Sequence, residues 1–405
     1  MTDSASFAGR RILLGVSGSI ALYKVADWLR SLVREDAAVT VVMTEAATRF
    51  VSPLTFAALS GRPVHTSMFA AQGAETIPHI NLAKGADIVL LAPATAQTVA
   101  RLAHGLADDL LATVVLAARV PVVICPAMNS NMFLHPATTA NLDILAGYGY
   151  RIVAPDCGAM ACGDCGPGRL PEWTTVRDEL LTALSPGDLA GRKVLVTAGP
   201  TREFADPVRF LSNPSTGRMG YALARAARIR GAEVTLISGP VDLEPPAGVT
   251  TIAVVSALDM HREVMARAGG QDIIIKNAAV SDFRFAAVAE RKMKKREISP
   301  DCRLLANPDI LAELGEMRRL GGLTAVLVGF AAESGMLLAE GERKLQAKNL
   351  DLLAVNDILA DDAGFAADTN RVTLLGRDGS QEHLPLLSKE ETAHRILGRA
   401  AALLR

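Results

Sequence analysis

The chain has 405 residues, of which half are apolar and 21% are charged, and its formal net charge is -1. This length predicts two or three globular domains, and the near-neutral charge argues against a protein that attracts nucleic acid or an anionic membrane. A polar N-terminus, no apolar run of membrane-spanning length and only five cysteines predict a cytoplasmic protein without a disulfide framework.

Short apolar runs alternate with helical patterns through the first half of the chain. Strands that helices cover on both faces read as continuous apolar runs, so this alternation predicts a doubly wound parallel sheet in an α/β fold. The predicted strands are residues 12–16, 39–43, 88–92, 122–125 and 152–154, and the predicted helices are 20–33, 95–104 and 110–118.

The second half repeats this pattern after a turn-rich stretch at 185–188. We therefore predict two Rossmann-like or flavodoxin-like domains, 1–187 and 188–405, the second with a late β-ribbon. Its predicted strands are 194–197, 234–238, 273–276, 325–329 and 352–355, its helices are 220–230 and 258–268, and its ribbon is 371–376 with 383–386.

Small and hydroxyl-bearing residues follow the predicted strands of the first half. Neither half has a G-x-G-x-x-G loop, which argues against an NAD site. The loop after the first strand offers hydroxyls and free amides at a helix N-terminus, which suits a phosphate, although it also suits an ordinary helix cap. Strand ends of one polarity meet at one sheet edge, so three such loops are predicted to share a ligand site. Their residues are Ser17, Gly18, Ser19, Ile20, Thr44, Pro93, Ala94 and Thr95.

Two further residues of the first half are candidates for chemistry, and each also has a structural interpretation. His79 lies between apolar neighbours in a turn-rich region, where a histidine is commonly structural. Asn129 follows a predicted strand, and its amide can anchor a carboxylate or cap the next helix.

A glycine-rich loop carries Cys157, Cys162 and Cys165 in a C-x4-C-x2-C spacing. The flanking glycines suit a lid that brings a reactive thiol to a substrate. A C-x-x-C pair also suits redox chemistry or half of a zinc site. Three cysteines with no nearby histidine lack the fourth ligand of a structural zinc, so the metal interpretation is the weaker one.

Basic side chains mark the second half. Lys344 and Lys348 are spaced i,i+4 and can hold a triphosphate from one helix face, although a solvated basic face has the same pattern. The segment around Lys292 is either a charged surface loop or a phosphate-binding element, and its brevity argues against nucleic acid. No Walker A sequence is present, which argues against a P-loop enzyme.

Together, the motifs of the first half resemble the flavin-dependent cysteine decarboxylase family. They are Ser17-Gly18-Ser19-Ile20, Met43-Thr44-Glu45-Ala46, His79, Pro93-Ala94-Thr95-Ala96, Pro126-Ala127-Met128-Asn129 and Ala161-Cys162-Gly163-Asp164. Over nearly its full length the chain resembles bacterial bifunctional coenzyme A biosynthesis proteins, in which phosphopantothenoylcysteine decarboxylase is joined to phosphopantothenate–cysteine ligase.

For the first half, this resemblance implies FMN at the strand-end loops and oxidation of the substrate thiol to a thioaldehyde, followed by loss of CO2 and reduction of an enethiol. It implies that His79 serves the oxidative step, that Asn129 with Met128 orients the departing carboxylate, and that Cys162 donates the final proton. A thiol of pKa about 8.5 is protonated at neutral pH, which agrees with that last role. Cys165 departs from the expected pattern, and either pairs with Cys162 or has no role.

For the second half, the resemblance implies that CTP and Mg2+ activate the carboxylate of 4′-phosphopantothenate as an acyl-cytidylate, which the cysteine amine attacks. It implies that Asn213 and Lys292 serve this reaction and that Gly217 and Arg218 bind the substrate phosphate. The metal is expected to bind through the CTP phosphates, with its protein ligands unknown. The implied CTP-binding residues are Lys276, Asn277, Ala278, Asp282, Lys292, Asn307, Pro308, Asp309, Ile310, Phe330, Lys344 and Lys348.

The resemblance also implies a trimeric flavin domain and a dimeric ligase domain, which a dodecamer would combine. Two alternatives stay open. A catalytically silent flavoprotein subunit is disfavoured by the joint presence of His79, Asn129 and Cys162. A peptidyl-cysteine decarboxylase is disfavoured by the ligase-like second half.

Overall fold

The computed structural model describes residues 6–69, 77–159, 163–294, 302–333, 337–357 and 369–404. The chain divides into two compact units, one spanning Ser6–Ser185 and the other beginning at Pro186. No helix in the described ranges is long and apolar enough to cross a membrane.

The first unit contains a six-stranded parallel sheet with strand order β3-β2-β1-β4-β5-β6. Its strands are β1 (Arg11–Val16), β2 (Ala38–Met43), β3 (Val64–His65), β4 (Ile88–Ala94), β5 (Val122–Pro126) and β6 (Arg151–Ile152), and an antiparallel hairpin follows with β7 (Asp156–Ala159) and β8 (Cys165–Arg169). Its helices are α1 (Leu22–Arg34), α2 (Glu45–Thr48), α3 (Pro53–Ser60), α4 (Pro78–Lys84), α5 (Ala96–Ala103), α6 (Leu110–Ala117), α7 (Ser130–Phe133), α8 (Pro136–Gly147) and α9 (Trp173–Leu184).

The second unit contains an eight-stranded mixed sheet with strand order β13-β12-β9-β14-β17-β18-β20-β21. The strands are β9 (Lys193–Ala198), β10 (Arg202–Phe204), β11 (Phe210–Ser212), β12 (Glu233–Ser238), β13 (Thr250–Ala253), β14 (Ile273–Lys276), β15 (Phe283–Phe285), β16 (Leu304–Ala306), β17 (Val326–Glu333), β18 (Leu352–Asp357), β19 (Thr369–Asn370), β20 (Val372–Gly376), β21 (Gln381–His383) and β22 (Leu387–Ser388). The helices are α10 (Arg218–Ile229), α11 (Ala257–Arg267), α12 (Ile310–Arg319), α13 (Leu337–Ala347) and α14 (Lys389–Ala401).

The same topology therefore occurs twice. The six parallel strands of each unit follow the doubly wound order 3-2-1-4-5-6, in which the chain reverses direction across the sheet between the first and fourth strands. The first strand of each unit is buried from its second residue onward, because helices cover both faces. The predicted α/β fold with two doubly wound sheets and a late β-ribbon is confirmed.

Some predicted boundaries differ from the structure. The first helix begins at Leu22 rather than at residue 20, because the preceding residues form a turn in which the Ser19 N–H donates to the Ser17 carbonyl. The last parallel strand of the first sheet is only Arg151–Ile152, where 152–154 was expected. The sequence interpretation missed the two small antiparallel pairs β10–β11 and β15–β16, whose strands have only three residues each.

Candidate active sites

Ser17 joins the first and fourth strands of the first sheet where the strand order reverses. Its buried hydroxyl donates to the Pro93 carbonyl over 2.7 Å and accepts from the Thr95 N–H over 3.0 Å. The Thr95 hydroxyl in turn caps α5 by accepting from the Thr98 N–H. Two of the three predicted flavin loops are thus hydrogen-bonded to each other at the carboxyl edge, where ligands bind in such sheets.

The third loop packs against Gly18. A Cβ built on Gly18 would lie 2.6 Å from the Cβ of Ala46, so no larger residue fits without movement of the neighbouring loop. Thr44 begins that loop and caps α2, because its hydroxyl accepts from the Ala47 N–H over 3.3 Å. Close packing of the two loops therefore depends on glycine at position 18.

A cavity of about 570 Å³ opens at this edge of the sheet. Its volume is within the range of small-molecule sites. Among the predicted residues, it is lined by Gly18, Ser19, Ile20, Thr95, Met128 and Asn129. The remaining lining residues are Ala21, Tyr23, Lys24, Ala96, Ala127, Met132, Ala159, Gly168, Arg169 and Leu170.

Lys24 and Arg169 are lining residues that were not assigned to the site from the sequence. The sequence carried a signal for Lys24, since it lies in the first turn of α1, directly after the predicted phosphate loop at residues 17–20. Arg169 ends β8 and packs against Gly158 across the hairpin, a neighbour that no local pattern reveals.

The hairpin β7–β8 packs on the loop that carries Met128 and Asn129. The Met128 N–H donates to the Gly168 carbonyl over 3.0 Å, and a Cβ on Gly168 would overlap the Met128 carbonyl oxygen. The Asn129 side chain uses both ends, since its Oδ1 accepts from the Asn131 N–H over 2.8 Å and its Nδ2 donates to Asp164 Oδ2 over 2.8 Å. Asn129 thus caps α7 and also lies on the cavity wall.

Two further residues of this half were predicted to take part in the chemistry, Cys162 and His79. Cys162 lies outside the described residues. His79 lies on α4 and does not line the cavity; its Nδ1 is buried and has no hydrogen-bond partner within the described structure. Cys157 and Cys165 are exposed free thiols, and the described residues contain no cluster of three potential metal ligands.

In the second unit, β9 and β14 extend into two loops that remain paired past the strand ends. The buried Thr197 hydroxyl accepts from the Ala278 N–H over 3.1 Å, and the buried Thr201 hydroxyl accepts from the Ser281 N–H over 3.0 Å. The Ala279 N–H donates to the Gly199 carbonyl. These bonds hold the predicted CTP residues 277–278 against the end of β9.

Asn213 and the start of α10 lie beside these loops. Asn213 Nδ2 donates to the carbonyls of Ala279 and Val280 over 3.1 and 3.3 Å. Gly217 caps α10 with a φ of 76°, and Arg218 is the first residue of that helix. A Cβ on Gly220 would lie 2.5 Å from that of Ala198, so this glycine lets the helix N-terminus approach the strand end.

Three charged side chains form a cluster at the same edge. Lys348 Nζ lies 2.7 Å from Asp309 Oδ2, and Asp309 caps α12 through the Ala312 N–H. Lys276 is largely buried at the end of β14 and donates to the Ala278 carbonyl over 3.0 Å. The pKa of Lys276 is lowered to about 8, mainly by burial and also by the nearby Lys348, while Asp309 and Asp282 oppose the shift.

The Asn307 loop is tied to the segment that contains Asp282. The Asn307 N–H donates to the Asp282 carbonyl over 2.8 Å, and Asn307 Nδ2 donates to the Ser281 carbonyl over 2.8 Å. Pro308 follows in the same loop. Ile310 begins α12 and is buried in one hydrophobic cluster of the second unit, whereas Phe330 on β17 packs against another.

The i,i+4 spacing of Lys344 and Lys348 predicted one shared helix face, but only Lys344 lies within α13, in its last turn, and Lys348 follows directly after the helix. The last helical residue of α13 is Ala347, and the Lys348 N–H still donates to the Lys344 carbonyl over 3.0 Å. Lys292 is exposed and lies outside the regular elements.

Comparisons with known proteins cover both units. A flavoprotein family model matches residues 2–185, and a model of the DNA/pantothenate metabolism flavoprotein C-terminal domain matches residues 189–404. A coenzyme A biosynthesis bifunctional protein of Bacillus subtilis is 47% identical over 97% of both chains, and one of Escherichia coli is 44% identical over 95% of both. The chain belongs to this family. The solved C-terminal domain of another member is 40% identical, with 54% of this chain and 97% of that one covered at a TM-score of 0.46.

Family membership confirms the predicted bifunctional enzyme of coenzyme A biosynthesis, with decarboxylase and ligase activities. It also confirms the broader cofactor prediction, a flavin. The match extends over both units. A silent flavoprotein subunit or a peptidyl-cysteine decarboxylase would not require the second unit, so the match disfavours both alternatives.

Proposed function

We propose that domain 1–187 is an FMN-dependent decarboxylase of 4′-phosphopantothenoylcysteine and that domain 188–405 makes this compound from 4′-phosphopantothenate and cysteine with CTP. The observation that supports the proposal is the position of the predicted residues. In each unit, most of them lie at the carboxyl edge beside the point where the strand order reverses. The product of the combined reaction is 4′-phosphopantetheine, and the setting is the cytoplasm.

The cradle at the first edge fits FMN. Gly18, Ser19 and Thr95 line a cavity of about 570 Å³ at the carboxyl edge, where doubly wound sheets bind ligands, and Gly18 allows the Thr44 loop to pack closely against this loop. Ser17, Pro93 and Ala94 would hold these loops in place without contact to FMN. Thr44 would stabilise the loop that packs on Gly18. FMN, when bound, supplies a two-electron oxidant for the substrate thiol and later returns a hydride.

Asn129 would orient the substrate carboxylate through its amide, with Met128 beside it on the cavity wall. A neutral amide holds a carboxylate without the strong ion pairing that would stabilise it against leaving. Cys162 would donate the last proton. His79 would serve the oxidative step, and since it does not line the cavity of one chain, this role fits best with an assembly that brings α4 to a neighbour's cavity.

In the ligase half, Lys276, Lys344 and Lys348 would neutralise the triphosphate, which otherwise repels the attacking carboxylate. Asn213 would act on the acyl-cytidylate, and Lys292 would neutralise charge from its exposed segment. Gly217 and Arg218 would hold the substrate phosphate at the N-terminus of α10, where the helix dipole favours an anion. Mg2+ would bind mainly through the CTP phosphates.

The CTP-binding set would be completed by the loops that the hydrogen bonds hold together. Asn277 and Ala278 follow β14, and Asn307 ties the Asp282 segment to the start of α12. Pro308, Asp309, Ile310 and Phe330 would complete the nucleotide site.

Apolar side chains on the short ribbons support a dimer of the ligase domain. Val208, Phe210, Leu211, Phe283 and Leu304 are exposed large apolar residues on or beside β10–β11 and β15–β16. The flavin domain also exposes apolar residues, including Ile20 and Tyr23 beside the cavity, which supports the proposed trimer.

Two measurements test the proposal. Purified protein should be yellow and release FMN on denaturation, and a colourless preparation that cannot be reconstituted would contradict the first half. Mass spectrometry should detect 4′-phosphopantetheine when 4′-phosphopantothenate, cysteine, CTP and Mg2+ are supplied together. Omission of any one of the four should block the coupling step and therefore the product. Coupling that proceeds equally well without CTP would contradict the second half.

A further inference from the structure

A buried carboxylate lies beneath the segment that carries Lys292. Asp206 is fully buried in the loop between β10 and β11. Its Oδ1 accepts from the N–H groups of Val208 and Arg209 over 2.8 and 2.9 Å. These two bonds are the local hydrogen bonds of an Asx turn.

The second oxygen of Asp206 makes contacts that a local turn does not require. Oδ2 accepts from the Met293 N–H over 3.2 Å, although the two residues are 87 positions apart in the chain. It also accepts from Arg209 Nη1 over 3.2 Å, and the same nitrogen donates to the Met293 carbonyl over 3.2 Å. Both backbone polar groups of Met293 are therefore held by the Asp206–Arg209 pair.

The Met293 N–H belongs to the peptide bond that follows Lys292. Fixing this peptide restricts the backbone conformation at Lys292, whose side chain is exposed. A second tie lies upstream, where the Ala289 N–H donates to the Ala205 carbonyl over 2.9 Å. Both ties end in the same loop, residues 205–209, so this loop anchors the segment at two points.

A buried carboxylate is stable in the ionised state only when several donors face it. Burial opposes ionisation of Asp206, but the N–H groups of Val208, Arg209 and Met293 and the guanidinium of Arg209 keep its pKa below the usual value. Asp206 is thus an acceptor at all pH values near neutrality, and its hold on Met293 persists under assay conditions.

We propose that Asp206 is a positioning residue of the ligase, which fixes the Lys292–Met293 peptide so that Lys292 is presented to the reacting carboxylate and triphosphate. This proposal rests on the proposed function of Lys292. Asp206 itself does not contact substrate, and its effect on rate comes through the orientation of the lysine, where displacement of a group by about 1 Å can cost up to a hundredfold.

Asp206→Asn removes the contacts of Oδ2 with Met293 and the Arg209 guanidinium and keeps those of Oδ1 within the turn. The Asn carbonyl can keep the turn bonds to Val208 and Arg209, while its NH2 group then faces the Met293 N–H and the Arg209 guanidinium, donor against donor. Asp206→Ser is the second variant, because a hydroxyl keeps a turn-forming oxygen but is too short to reach Met293. The matched control is Asp259→Asn, a carboxylate that accepts from Ser256 and Arg262 without contact to residues 291–294.

Two readouts separate positioning from stability. In Asp206→Asn and Asp206→Ser, kcat of CTP-dependent coupling should fall by about tenfold or more, with KM for 4′-phosphopantothenate within about twofold of wild type. Trypsin should cleave after Arg291, Lys292 or Lys294 faster than in wild type. Asp259→Asn should lower the melting temperature comparably and change neither readout.

The proposal is overturned if both Asp206 variants keep the kcat and the tryptic pattern of Asp259→Asn. The role of Lys292 is tested separately by Lys292→Gln, which should abolish coupling while decarboxylation of supplied 4′-phosphopantothenoylcysteine continues. If Lys292→Gln keeps full coupling while the Asp206 variants still expose the segment to trypsin, the anchoring by Asp206 stands and the proposed function of Lys292 fails.

Discussion

The two sheet edges of this chain have the same topology and different chemistry. The edge of the first unit, the proposed flavin site, is built from hydroxyls, an amide and small residues, with Ser17 and Thr95 bonded across the strand reversal. The ligase edge has Thr197 and Thr201 in the corresponding bridging role, but it adds the charged cluster of Lys276, Lys348 and Asp309.

This difference follows the charge that each edge is proposed to handle. A carboxylate that must leave as CO2 is best held by neutral donors, whereas a triphosphate and a second anion must be brought together by cations. The doubly wound sheet supplies the same strand-end geometry in both cases. The identity of a few side chains after the strands then decides which chemistry is possible.

The strongest test of the neutral edge is Asn129→Asp. The substitution keeps an acceptor for the Asn131 N–H but replaces the donor to Asp164 by a second carboxylate, which would also repel the substrate carboxylate. We expect decarboxylation of supplied 4′-phosphopantothenoylcysteine to fall about a hundredfold, the size of effect that loss of one catalytic hydrogen-bond donor has in other enzymes. CTP-dependent coupling should be unchanged. Asn131→Asp is the exposed control; decarboxylation by Asn129→Asp within threefold of wild type would show that this edge tolerates charge.

A second test concerns the close packing that forms the flavin cradle. In Gly18→Ala, the new methyl would meet Ala46 at 2.6 Å, so the two loops must separate. We expect about a tenfold or greater loss of flavin affinity, measured by titration of the apoprotein. Gly147→Ala is the matched control, because a Cβ there meets nothing within 4 Å. Equal flavin affinity in both variants would mean that the cradle lies elsewhere.

A third test concerns charge at the ligase edge. Because the pKa of Lys276 is lowered to about 8, about nine-tenths of this lysine is neutral at pH 9. We expect KM for CTP to rise about fivefold between pH 7 and pH 9 in wild type and to change less in Lys276→Met. The same pH dependence in both proteins would remove Lys276 from the nucleotide site.

The same group affects stability in a defined pH window. The unfolded state keeps the lysine proton up to about pH 10.5 and the folded state up to about pH 8, so the unfolded state binds more protons between these values. The contribution of Lys276 to the free energy of unfolding therefore rises with pH from about 8 to about 10.5. Denaturant titrations of Lys276→Met should lack this rise, whereas the exposed control Lys193→Met should retain it.

The smallest expected effect is that of Thr44→Ala. Since the Thr44 hydroxyl caps α2, its loss should lower the free energy of unfolding by about 1 kcal/mol, measured by denaturant titration of the flavin unit in the full chain. Flavin affinity should change less than threefold, and Thr44→Ser should restore stability. A tenfold loss of flavin affinity in Thr44→Ala would instead indicate direct contact between this hydroxyl and the cofactor.

The fold was largely predictable from the sequence, because buried parallel strands are apolar along their whole length. The core strands were therefore visible as runs, and their ends pointed to Ser17, Thr95 and Asn129. The short ribbons β10–β11 and β15–β16 were not predictable, since strands of three residues carry too few alternations to be recognised.

The sequence by itself determined the two α/β domains and the kind of side chain at each strand end. Only the tertiary structure decided which side chains meet: Arg169 at the cavity of the first unit, Lys348 with Asp309 beside Lys276, and Asp206 beneath Met293. The physical reason is that periodicity reports local conformation and burial. Contacts between residues tens of positions apart depend instead on strand order and on the path of the connecting loops, which no local pattern encodes.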